Sequence, residues 1–185
     1  KRMLDIHTRL VAKEEGWKWT TLTPVTLYGP QDSFDPEGGH VVGSLIRRCW
    51  AAKTTGAPYV VWGSGRAVRQ FAFVEDVANI AVDAVQRNLD ATTTIIAPDA
   101  GTTIQTLAET IASAMGYTGP IVFDRSQPEG VLIKRLQSMT FSTRFPDCRF
   151  TSLAAGLEKT VRWFLDYATA EDGVSSGPPP LCHQS

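Results

Sequence analysis

The chain has 185 residues, 43% of them hydrophobic and 20% charged, and a formal net charge of −1. So even a balance supplies no basic field for nucleic acid, and no apolar run approaches the ~18 residues that cross a bilayer. Three cysteines, Cys49, Cys148 and Cys182, are widely spaced and odd in number, which fits neither a zinc site nor a disulfide framework and favours a reducing compartment.

The chain opens on Lys1, with no initiator methionine, signal peptide or targeting segment, and reads as a piece that starts in the middle of something. Residues 2–15 form a helical pattern in which Met3, Leu4, His7, Leu10 and Val11 share one face, and Gly16 stops it. Lys18 to Tyr28 is rich in Trp, Thr, Val and Leu and predicts a strand, with Pro24 marking an edge, a bulge or the strand's exit. A polar loop follows the Gly29-Pro30 turn. His40 then opens a helix to about Thr54, with Val41, Val42, Leu45, Ile46, Cys49 and Ala52 at helical spacing, ended by Gly56 and Pro58.

Tyr59 to Trp62 predicts a short buried strand, and Gln70 to Phe73 another. Val74 to Val85 predicts a helix with Val77, Ile80, Ala81, Ala84 and Val85 inward. Thr94 to Ala97 is strand-like. Thr102 to Gln105 fits a capping box, with Thr102 as N-cap and Gln105 reaching back. The helix after it carries Ile104, Leu107, Ile111 and Met115 on one face and closes at Gly116. Ile121 to Phe123 predicts a strand. Ser152 caps a last helix with Leu157, Val161, Phe164 and Leu165 inside. The tail 173–185 is rich in Gly, Ser and Pro and predicts disorder. Strands alternating with helices argue an α/β fold with parallel pairing. No G-x-G-x-x-G loop follows a strand. Gly63-Ser64-Gly65 lacks both a third glycine and a following helix, so this chain alone does not hold a dinucleotide by that mechanism.

The stretch from Thr23 to Arg48 is the one most suited to chemistry. It sets a loop after a strand, a lone histidine at a helix start and two arginines about two turns on. These are parts that bind a phosphorylated ligand. A histidine there feels the positive end of the helix dipole, which makes its charged ring a readier proton donor. Taken alone, His40 could equally cap the helix, and Arg48 could sit on a solvated face. Adjacent arginines point in different directions on a helix, so one of Arg47 and Arg48 reaches a ligand.

The strings LYGPQDSFDPEGGHVVGSLIRR, VVWGSG followed by VRQFAFVEDVA, AMGYTGPIVFD and LEKTVRWFLDY resemble the C-terminal half of the GDP-L-fucose synthases, which are extended short-chain dehydrogenase/reductases. The resemblance covers residues 1–172. It implies the C-terminal part of a Rossmann fold, namely the end of an NADP domain together with a substrate-binding domain. In that family a GDP-4-keto-6-deoxy-D-mannose is epimerised at carbons 3 and 5 and reduced at carbon 4 by NADPH. The opening KRMLDIHTR is similar to the segment that begins with the lysine of the Y-x-x-x-K motif, so Lys1 matches that lysine, catalytic and bound to the cofactor. His40 matches the histidine of the family's Cys/His acid–base pair. Pro24, Val25, Thr26 and Leu27 match a segment along the nicotinamide end of NADP(H), with Thr26 in place of the usual Asn.

Arg48, Trp62, Arg69, Glu129 and Lys134 match substrate-binding positions. Around the last two the chain departs from the family at Gln127, Glu129, Ile133 and Ser138, which implies relaxed constraint on the guanosine. No metal is implied. The glycine loop, the tyrosine and the cysteine lie outside this chain. The resemblance therefore implies an N-terminal half of the same protein as partner, a GDP-sugar as ligand, a cytoplasmic homodimer, and a dimer contact through the helix that begins at Arg2. The rival readings are a repurposed, non-catalytic family member serving as a structural subunit, and an extended epimerase for another sugar nucleotide.

Overall fold

The computed structural model describes residues 2–36, 38–90, 92–137 and 139–171. Lys1, Ser138 and the tail 173–185 lie outside the described residues. Among the described residues, six helices and eight short strands succeed one another: α1 (Arg2–Glu15), β1 (Thr21–Pro24), β2 (Thr26–Tyr28), α2 (Val41–Thr55), β3 (Tyr59–Trp62), β4 (Val68–Arg69), β5 (Phe71–Phe73), α3 (Val74–Gln86), β6 (Thr93–Ile96), β7 (Thr102–Thr103), α4 (Ile104–Met115), β8 (Ile121–Asp124), α5 (Met139–Arg144) and α6 (Leu153–Glu171).

Three of the four strand pairs are parallel, as the alternation of helices and strands predicts. β1 pairs with β6 from Thr21↔Thr93 to Pro24↔Ile96. β2 pairs with β5 through Leu27↔Ala72, and β3 with β8 through Val60↔Val122. β4 and β7 pair antiparallel. The single strand expected from Lys18 to Tyr28 is therefore two. Pro24 has no N–H to continue a ladder, and Val25 makes the last bond to β6, donating its N–H to the Ile96 carbonyl at 3.0 Å. From Thr26 the chain changes partner. Pro24 is thus a strand exit.

The main core lies where α2, α4 and α6 cover β2, β3 and β5. Val42, Leu45, Ile46, Tyr59, Leu107, Ile111, Leu157, Val161 and Phe164 fill it. Their three- and four-residue spacing is what folds each helix against the sheet. A second cluster joins Ile80, Ala84, Ile96, Phe141 and Phe145. Glycines end two of these helices. Gly56 and Gly116 take left-handed φ values of 74° and 64°, a conformation that costs a residue with a Cβ about 1 kcal/mol or more.

Three local expectations are corrected. The N-cap of α4 is Thr103, whose hydroxyl accepts from the Thr106 amide at 3.0 Å. Gln105 does not reach back and donates instead to Glu109, one turn on along its own helix, at 2.9 Å. Val85 is 79% exposed, because α3 turns its Ile80 and Ala84 side to the second cluster. Short elements without apolar periodicity, namely α5, β4 and β7, are not foreseen by sequence pattern. The apolar stripe of α1 also faces outward. Met3, Leu4 and Leu10 are exposed, while the helix buries Ala12 on its other side. Trp17 and Trp19, in contact at 4.6 Å between ring centroids, extend this surface. Among the described residues no helix is long and apolar enough to cross a membrane.

Candidate functional site

Of the residues singled out from sequence, Pro24, Val25, Thr26, Trp62, Arg69, Glu129 and Lys134 line two adjoining clefts. The larger, of about 290 Å3, is lined by Thr26, Val41, Trp62, Gly65, Ala67, Arg69, Ile104, Pro128 and Glu129. The smaller, of about 160 Å3, is lined by Pro24, Val25, Thr26, Arg69, Gln70, Lys134 and Leu136. Thr26 and Arg69 belong to both. Pro24 closes β1 and Trp62 closes β3, so the clefts sit at the carboxyl ends of parallel strands, where open α/β sheets take their ligands. Leu27 lines neither cleft. It is half-buried in β2.

Arg48 rises from α2 with its guanidinium 3.8 Å from the centroid of the Trp62 ring. Its Nε and Nη2 donate to the Pro36 carbonyl at 3.2 and 2.7 Å. Stacking on an indole and a fixed carbonyl together preset a planar cation that is otherwise flexible. Arg47 points elsewhere, over Trp50 at 4.8 Å. Of the two, Arg48 is the arginine that touches a residue lining the larger cleft, Trp62. Arg69 is half-buried and holds its position by donating to the Val68 carbonyl at 2.8 Å.

His40 is the N-cap residue of α2 but makes no side-chain cap bond. The capping reading is excluded. Its Nδ1 lies 2.9 Å from Oδ1 of Asp32, and its side chain is 72% exposed against 8% for the aspartate. The next residue, Val41, lines the larger cleft. The loop that carries Asp32 is pressed on α2 at Gly43. A Cβ there would stand 2.1 Å from the Ser33 carbonyl oxygen. We expect Gly43→Ala to cost about 1–3 kcal/mol by overpacking and to move the His40 loop. Chemical denaturation measures the first effect, and an unchanged midpoint would contradict the contact.

Glu129 lines the larger cleft, and its carboxylate accepts a short hydrogen bond from the Ser64 hydroxyl. That bond holds the carboxyl below its usual range. It ties the 126–130 loop to the Gly63–Gly65 turn, whose following element is the strand β4 and not a helix. Gln70 is the residue that sequence pattern missed. Only 4% exposed, it donates Nε2 to the Pro98 and Leu136 carbonyls at 2.7 and 2.9 Å and accepts from the Leu136 amide at 2.6 Å. It thereby fixes the segment carrying Lys134. A polar residue directly before the buried run Phe71-Ala72-Phe73 was the available signal. Among the described residues no cluster of three or more His, Cys, Asp or Glu could hold a metal. Burial pushes the Cys49 thiol up to about 11, which leaves it unreactive.

Comparison with known proteins gives this geometry a lineage. Residues 1–96 match the profile of the NAD dependent epimerase/dehydratase family. The chain belongs to that family.

Its epimerase/dehydratase relatives include GDP-L-fucose synthase of Escherichia coli, 36% identical over 164 residues that make up 83% of this chain and 51% of that protein. GDP-L-fucose synthase of Dictyostelium discoideum is 29% identical over 92% of this chain and 54% of that protein. Among solved structures, a GDP-L-fucose synthetase from Naegleria fowleri bound to NADP superposes with a TM-score of 0.83 at 31% identity, covering 91% of this chain and 55% of that one. The chain therefore spans about half the length of the epimerase/dehydratase relatives it matches. Its Rossmann-like α/β fold is that of the family, and its resemblance to the GDP-L-fucose synthases extends over most of its length.

Proposed function

We propose that this chain is the C-terminal, mainly substrate-binding part of an NADPH-dependent epimerase–reductase that converts GDP-4-keto-6-deoxy-D-mannose to GDP-L-fucose. The observation that supports this most is the convergence of Arg69, Lys134 and the Arg48–Trp62 stack on two clefts that adjoin at Thr26. Arg69 and Lys134 lining adjoining clefts, the larger near the ~300 Å3 lower bound for ligand sites, with Arg48 stacked on the lining Trp62, suit a diphosphate with a sugar attached. Pro24, Val25 and Thr26 form the wall that faces the nicotinamide of NADP(H), supplied from the half of the relatives' length that this chain does not span. Lys1 would belong to that cofactor side.

In the reaction a proton leaves the carbon next to the 4-keto group, and the electron pair moves onto the ketone oxygen as an enolate. Reprotonation on the opposite face inverts the centre. His40, exposed beside the larger cleft, is the group on this chain fitted to give and take that proton. NADPH, held by the half that this chain does not span, would supply the hydride to carbon 4, with a proton going to its oxygen. Glu129 lines the nucleotide end but is engaged by Ser64. Its contact with a base is therefore the weakest of the substrate assignments.

Titrating the chain with GDP, followed by tryptophan fluorescence at the Arg48–Trp62 stack, tests the binding half of the proposal. Arg69→Ala should weaken GDP about 10-fold or more, since charged hydrogen bonds contribute about 1.5–3 kcal/mol. Equal affinities in the two proteins would remove Arg69 from the site. Joined to its cofactor half, the enzyme should oxidise NADPH with the 4-keto sugar, and His40→Ala should lower turnover about 100-fold or more.

The outward apolar stripe of α1 supports a homodimer through that helix. A Leu4→Glu, Leu10→Glu double variant should sediment as a lighter species than the parent at the same concentration. Identical sedimentation would place the dimer contact elsewhere.

A further inference from the structure

We infer that Asp32 is the positioning residue of His40, holding its ring in the tautomer protonated on Nδ1 with Nε2 turned out as the working nitrogen. The catalytic meaning of this rests on the proposed function, whereas the tautomer itself rests only on geometry.

Asp32 is placed without help from the histidine. Its backbone N–H donates to the Gly29 carbonyl at 3.3 Å, and its Oδ1 accepts from the Ser33 amide at 2.8 Å. The close seat of the Ser33 carbonyl on Gly43 fixes the loop against α2. The same Oδ1 meets Nδ1 of His40 at 2.9 Å. An ionised carboxylate only accepts, so Nδ1 has to donate. In a neutral imidazole the other nitrogen then carries a lone pair and no proton. The His40 side chain, 72% exposed, carries this nitrogen on the ring edge away from the carboxylate.

The second carboxylate oxygen strengthens the assignment. Asp32 Oδ2 is buried and has no hydrogen-bond partner among the described residues. A buried acceptor left unmade is costly, and such groups in folded proteins ask for a reason. A loop selected only for stability would carry Asn or Ser here, either of which could accept from the Ser33 amide without a buried charge. Keeping the carboxylate keeps an acceptor that cannot donate, which is what fixes the tautomer. An asparagine could turn its amide and present N–H to Nδ1, reversing the ring's polarity.

The test is 15N NMR of the histidine-labelled chain at a pH where free imidazole is neutral, with His7 as internal reference. For His40 we expect Nδ1 in the protonated, pyrrole-like range and Nε2 in the pyridine-like range. Asp32→Ala should move His40 toward the Nε2-protonated form and leave His7 unchanged. Asp32→Asn keeps the loop's shape and removes the charge, and it should shift the balance in the same direction. The inference is overturned if wild-type His40 is protonated on Nε2, or if Asp32→Asn leaves its signals unmoved. Should Asp32→Ala unfold, the wild-type spectrum and the asparagine variant still decide. Failure of GDP to bind would count against the proposed function and leave this result standing. A retained GDP affinity with an unmoved tautomer would count against Asp32 alone.

Discussion

Phe164→Ala should destabilise the fold by about 3–5 kcal/mol, the range for emptying a fully buried aromatic position. Phe164 is completely buried. Its ring packs against Phe34 at 4.8 Å and edge-on against Trp50 at 6.0 Å between centroids. It thus joins three segments: α6, α2 and the loop before His40. Partners of that size on separate elements cannot all collapse into the space, so a cavity term adds to the lost transfer free energy. Since whole domains are stable by about 5–15 kcal/mol, the loss is a large part of the total. Urea denaturation should show a lower midpoint with an unchanged slope. A shift under about 1 kcal/mol would mean that the Phe34 loop relaxes into the gap, and His40 should then change its environment as well.

Gln70→Leu should cost about 2–4 kcal/mol, although the two side chains are similar in size. The wild-type amide satisfies two carbonyls and one N–H, and leucine satisfies none. Each buried polar group left unmade costs about 1–3 kcal/mol, reduced here because Leu136 is 40% exposed and water reaches part of it. The consequence for function is larger than for stability. The 134–136 segment carries Lys134, and the Gln70 side chain holds it together with the bond from the Lys134 amide to the Val68 carbonyl at 3.1 Å and that from Arg135 to the Asp99 carbonyl at 2.8 Å. We therefore expect the variant to lose GDP affinity by a factor comparable to removing Lys134 itself. Full affinity with reduced stability would show that Lys134 does not need its segment held.

The elements legible in sequence were those with long apolar periods. α2, α4 and α6 fall where the spacing of Val42, Leu45 and Ile46, of Leu107 and Ile111, and of Leu157 and Val161 places them. Each is bounded by a residue with a physical reason, such as the left-handed Gly56 and Gly116 or Ser152, whose hydroxyl accepts from the Ala155 amide at 3.3 Å. The break between β1 and β2 was legible only as an edge, a bulge or an exit at Pro24, because strand propensity is the same on both sides of Val25 and only the partner changes. The N-cap of α4 was off by one residue because Thr102 and Thr103 are chemically equivalent; both pair with β4, and what marks Thr103 is its hydroxyl accepting from the Thr106 amide.

In the site, charged residues were easy to single out. The residues that hold them, Asp32, Gln70 and Ser64, act across 8, 66 and 65 positions of chain. Such contacts leave no periodic trace.

The change of partner at Val25 has a thermodynamic consequence. Before it, Leu22 packs with the cluster of Ile80 and Ile96; after it, Tyr28 belongs to the core of Phe164 and Leu107. This short segment is one of the covalent crossings between the two apolar bodies, and Pro24, Val25 and Thr26 on that seam line the smaller cleft. Bodies joined this way open with separate free energies when nothing bridges them. A ligand lying along the seam adds its binding energy only to states in which both are closed. It therefore acts as a splint, merging two local melting events into one.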